Sequence, residues 1–92
     1  MAFFPFSGQP KLTAEVTVTP SQITAGANTE STFTVTGLRT GMIVLVDFPS
    51  LEANLVQNTA RVTAANTLKV RFFNPTVSTI TPSSQTMRVV AF

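Results

Sequence analysis

Apolar and polar residues alternate one by one along most of the chain. In "KLTAEVTVT", Leu12, Ala14, Val16 and Val18 fall on one side and Thr13, Glu15, Thr17 and Thr19 on the other. "STFTVTG" repeats the pattern, with Phe33 and Val35 against Thr32, Thr34 and Thr36. "MRVVAF" sets Met87, Val89 and Ala91 against Arg88, Val90 and Phe92, a less clean division. A period of two is the signature of a strand with one buried face, and β-branched and aromatic residues suit that pleated surface. "MIVLVDF" departs from it. Met42, Val44, Val46 and Phe48 share a side, yet Ile43 and Leu45 opposite are apolar too, which predicts a strand covered on both faces.

Turn signals separate these runs: Pro20, "GAN" at 26–28, "GLRTG" at 37–41, "FPS" at 48–50, "NP" at 74–75 and "TPSS" at 81–84. "SLEANLVQN" is too short for a helix of consequence and reads as a loop. About seven short strands at this spacing predict an all-β chain. The expected fold is a small antiparallel β-sandwich of immunoglobulin-like or Greek-key type, or a partly open barrel. Residues 11–92 would form its single domain and residues 1–10 an extended N-terminal arm.

The stretch "TARVTAANTLKVRFF" predicts a hairpin whose register can be stated. A three-residue loop, Ala64-Ala65-Asn66, pairs Val62 with Leu68, Ala60 with Val70 and Arg61 with Lys69. A two-residue loop at Ala65-Asn66 would oppose Thr63 to Leu68. Only the first keeps the apolar set on one face. Asn66 tolerates the left-handed conformation such a loop ends on. Arg61 and Lys69 then face each other on the outer side, with Arg71 one step along. Like charges directly opposite are destabilising. Glu15, Glu30, Glu52 or an acidic partner surface is expected to relieve them.

Composition narrows the function. Charged residues are 11% of the 92 positions, against roughly 25% in an average soluble domain. A domain this small hides only about 60–65% of the surface its unfolded chain exposes. Disulfides, a metal or association commonly make up the shortfall. With no Cys and no His, association is the remedy left and no cofactor is expected. The net charge of +2 is too small and too dispersed to indicate nucleic acid. No run approaches the roughly 18 apolar residues of a membrane span, and "MAFFPFSGQPK" lacks the charged start of a secretory signal. Synthesis and folding in a cytoplasm are expected.

Catalytic chemistry has little to work with. A nucleophilic triad lacks its His base. The four acids are Glu15, Glu30, Asp47 and Glu52, and nothing in their spacing brings two into one cleft. Asp47 is expected to cap a strand end by bonding the Phe48-Pro49-Ser50 turn. "GLRTG" is a turn between strands, not a phosphate loop. The chain is therefore read as a non-enzyme.

Residues 23–82, "ITAGANTESTFTVTGLRTGMIVLVDFPSLEANLVQNTARVTAANTLKVRFFNPTVSTITP", resemble a short module that recurs among structural genes of tailed bacteriophages. The pieces carrying the resemblance are "AGANTESTFTVTGL", the valine-rich strand ending in Pro49, "ARVTAANTLKVRFFNPT" and "STITP". The module usually has an acid after its second glycine, where this chain has Met42. The resemblance implies a virion component on the head or tail surface. Together with the apolar start, it predicts a capsid decoration (cement) protein on the outer surface of the phage head. Its partners would be copies of itself, as a homotrimer, and the major capsid protein. Phe3, Phe4 and Phe6 would anchor the arm, Ile43 and Leu45 would serve the subunit contact, and Arg61, Lys69 and Arg71 would meet acidic capsid surface. The alternative is a tail-fibre, spike or head–tail module. A sugar-binding fibre would be expected to use Trp or Tyr for stacking, and the chain has neither.

Overall fold

The computed structural model describes residues 11–92. The expected arm, residues 1–10 with Phe3, Phe4 and Phe6, lies outside the described residues. Among the latter there are six strands and no helix: β1 (Leu12–Val18), β2 (Asn28–Thr34), β3 (Val44–Asp47), β4 (Val56–Ala64), β5 (Thr67–Phe73) and β6 (Gln85–Ala91). They form two three-stranded antiparallel sheets, ordered β1-β6-β3 and β2-β5-β4, packed as a sandwich. Only β4 and β5 are joined as a hairpin within one sheet; the other connections cross between sheets.

The alternation predicted from the sequence is what the two sheets bury. Met87, Val89 and Ala91 of the central strand β6 are fully buried, as are Leu68, Val70 and Phe72 of the central strand β5. Phe48, just past β3, reaches across the sandwich. Its ring lies 5.3 Å from Phe72 and 6.2 Å from Phe33, both tilted toward the edge-on arrangements aromatic pairs prefer.

The hairpin adopts the predicted register, Val62↔Leu68, Arg61↔Lys69 and Ala60↔Val70. The turn itself is tighter than expected. Ala64 pairs with Thr67, and the extra residue is absorbed by a bulge at Thr63. Asn66 takes φ 60° and is fastened from three sides. Its N–H donates to Leu38 O (2.8 Å), its carbonyl accepts from Val35 N–H (2.9 Å), and its Oδ1 accepts from Gly37 N–H (2.9 Å). Gly37 itself sits at φ 102°, and a Cβ there would press within 3.3 Å of Leu12.

Two expectations are corrected. β4 begins at Val56, so the stretch read as a loop ends at Leu55; a second bulge at Asn58 starts the ladder earlier than the alternation showed. Asp47 does not cap the following turn. Its carboxylate lies on the outer face of β3, 3.9 Å from Arg88 Nη1 on the neighbouring strand, which pairs Asp47 with Arg88 across the ladder. β3 is half-buried on its Val44 and Val46 side, and no described residue covers Ile43 and Leu45; the second cover expected for this strand, the chain's own arm or a neighbouring subunit, lies outside the described residues.

Candidate functional site

The outer face of β1-β6-β3 is built as rows running across the strands. One row is Glu15–Arg88–Asp47, held by Arg88 Nε 3.3 Å from Glu15 and Nη1 3.9 Å from Asp47. The next is Thr13–Val90–Leu45. In the last, Ile43 and Phe92 exchange backbone hydrogen bonds (3.3 and 2.9 Å), and Lys11, one residue before Leu12, lies at the same end. Ile43 is 52% exposed and Leu45 61%. Lys11, Arg39, Thr40, Gly41, Met42 and Phe92 border an open cleft of about 340 Å³ where this face meets the GLRTG turn. Ile43 and Leu45, which the sequence reading expected at a subunit contact, are thus brought together in one apolar strip with a charged row at one end.

The outer face of β2-β5-β4 collects the other predicted group. Glu30 sits opposite Arg71, and Thr32–Lys69–Arg61 form the adjacent row. Of the acids the sequence offered to relieve Arg61, the fold selects Glu30. Arg61 Nη1 lies 3.1 Å from Glu30 Oε2 and its Nη2 donates to Oε1 at 3.4 Å; Arg71 Nη2 lies 3.9 Å from Oε2. That Oε2 is shut off from water, so the guanidinium groups, rather than solvent, balance it. Lys69 has no acidic partner among the described residues. Three cations and one acid leave this face at +2, which equals the net charge of the whole chain.

Two polar clusters that sequence reasoning missed hold the loops at the sandwich ends. Asn74 is wholly buried. Its Nδ2 donates to Ile23 O (3.0 Å) and Ser78 O (2.8 Å), and its Oδ1 accepts from Thr76 N–H (2.9 Å) and Oγ1–H (2.7 Å). The backbone bridge between Ile23 and Ile80 closes the same end. At another point Glu52 accepts from Ser83 N–H (2.9 Å), Ser83 Oγ–H (3.1 Å) and Gln85 Nε2–H (3.2 Å). The backbone N–H of Ser83, before the other donors, holds the Glu52 carboxyl below its ordinary pKa. An "NP" pair and a lone acid signalled a break and a charge; their partners lie up to 51 residues away.

Among the described residues no group of three His, Cys, Asp or Glu could hold a metal, and no helix is long and apolar enough to cross a membrane. The chain matches no known family, no curated protein and no solved structure. The two outer faces of the sandwich differ: one carries the apolar strip, the other a cationic, Thr-rich surface.

Proposed function

We propose that this chain is a structural assembly protein, a capsid decoration protein of the tailed-phage type that bridges major capsid subunits on the outer surface of the head. The observation carrying the proposal is the pair Ile43 and Leu45, 52% and 61% exposed and adjacent on one face. Isolated surface apolar residues are ordinary; two large ones side by side on a sheet face form the kind of apolar spot that a partner would cover, and so support the reading. The opposite face supports it. Arg61, Lys69 and Arg71 present a surplus of +2 that acidic shell protein would complement. The work is mechanical: each copy ties neighbouring subunits together, and many weak contacts repeated over a symmetric shell sum to a strong attachment. Phe3, Phe4 and Phe6 are its proposed anchors.

Co-sedimentation with emptied capsids tests this. The full chain should pellet with them, and the chain lacking residues 2–8 should stay in solution while keeping its fold by circular dichroism. Undiminished binding of that shortened chain would remove the anchoring role of the arm, and failure of the full chain to bind would remove the function.

A further inference from the structure

We propose that the outer face of β1-β6-β3 pairs with the same face of a second copy about a two-fold axis, placing Lys11 of each copy against Glu15 of the other. The inference deepens the assembly reading above and rests on its choice of working face; it adds the partner and the orientation.

The rows of this face are asymmetric along the strands. One end carries Glu15, Arg88 and Asp47, a side-chain charge of −1. The other end carries Lys11, with Arg39 across the adjoining cleft. Neither Lys11 nor Arg39 has an acidic partner among the described residues. Between the ends lies the row Thr13–Val90–Leu45, with Ile43 beside it. Lys11 and Glu15 are four residues apart, or about 13 Å along the strand, and the middle row divides that span evenly.

Two in-plane axes could bring the face onto itself. An axis along the strands sets Glu15 of one copy over Asp47 of the other, acid against acid. An axis across the strands, through the middle row, reverses strand direction. Leu45 then meets Leu45, Val90 meets Val90, and the Lys11 end meets the Glu15 end twice. Only this second axis sets Lys11 of each copy on Glu15 of the other and Leu45 and Val90 on their own counterparts, while it seats Ile43 over Asp47 and Phe92 over Arg88. Pairing through the exposed edge of β3 is the weaker route. That strand has four residues, and Gln57 Nε2 of β4 already donates to Val46 O at 3.3 Å, which blunts the edge. A face only about 10 Å across three strands falls short of the roughly 800 Å² per partner of a tight complex. The pair should therefore be weak, in the micromolar to millimolar range.

Sedimentation equilibrium of the full chain, without any shell, tests the pairing, so its failure leaves capsid binding to be judged separately. At concentrations up to about 1 mM the wild type should follow a monomer–dimer equilibrium. Leu45→Asp should leave it monomeric with an unchanged thermal midpoint. Lys11→Glu and Glu15→Lys should each weaken pairing by roughly tenfold, since each makes two like-charge contacts per dimer. An equimolar mixture of those two variants should recover wild-type association, because every contact in the mixed pair is again complementary. A wild type that stays monomeric, one that forms trimers, or a mixture no tighter than its components would overturn the proposal.

Discussion

Replacing Asn74 with Asp changes one group, an amide NH2 for an oxygen, at a site with no exposure to water. The acceptor side survives: Oδ1 can still receive Thr76 N–H and Oγ1–H. The donor side does not. Two hydrogen bonds, to Ile23 O at 3.0 Å and Ser78 O at 2.8 Å, disappear, and an oxygen is left facing two carbonyl oxygens. Ile23 O keeps Ile80 N–H (3.0 Å) and Ser78 O has Thr76 Oγ1–H within 2.8 Å, so neither carbonyl is left bare; two lost hydrogen bonds at about 0.5–1.5 kcal/mol each, plus a buried charge set against two carbonyl oxygens, should cost about 2–4 kcal/mol at neutral pH. A chain of 92 residues has roughly 5–14 kcal/mol of stability in total, so the variant should unfold at a much lower urea concentration. Burial raises the pKa of the introduced carboxyl, so the variant should regain stability as pH falls and the acid takes up a proton. Asn74→Ala removes all four bonds without adding charge and should cost about 3 kcal/mol at every pH. The assay is urea unfolding followed by circular dichroism, comparing midpoints at constant m-value. A loss under about 1 kcal/mol for both variants would refute the claim that this side chain holds the 74–80 loop to Ile23.

Glu52, whose carboxyl is held below its ordinary pKa by Ser83, contributes stability that is present above the ordinary value. It is lost as pH falls through the lower, folded one; Glu52→Gln should flatten the acid limb of a plot of unfolding midpoint against pH, and an unchanged limb would count against the latch. Asn66→Gly keeps the left-handed turn but removes the acceptor for Gly37 N–H, a loss of about 0.5–1.5 kcal/mol by urea unfolding. Asn66→Val should cost about 1–2 kcal/mol more through backbone strain. Arg61→Glu breaks an ion pair whose arginine is 53% exposed, so stability should fall by no more than about 1 kcal/mol. Its affinity for capsids should drop severalfold, and unchanged affinity would remove this face from the contact.

The strands were legible wherever one face is buried. The alternation of β1 and β6 and the register of the β4–β5 hairpin follow from keeping Val62, Leu68, Ala60 and Val70 on a single side. Sheet membership was not legible. β6 lies between β1 and β3, a placement set by packing over long separations, to which local pattern is blind. Asp47 shows the same limit: its neighbourhood along the chain suggested a cap, while Arg88, 41 positions on, supplies the partner. Of the proposed contact residues, Ile43 and Leu45 stand out in the sequence because they break the alternation, and the outward placement of Arg61, Lys69 and Arg71 follows from the hairpin register. The role of Glu30 could be narrowed to three acids but not chosen among them. The partners of Asn74 and Glu52 were not legible, since a buried amide and a latched acid look like any loop residues until their loops meet.

Counting copies of this chain in purified particles, by quantitative mass spectrometry against the major capsid protein, tests its role most directly. A decoration protein repeated over a symmetric shell should be present at on the order of hundreds of copies per particle. A dozen copies or fewer would place it in the tail or connector, and none would remove it from the virion altogether.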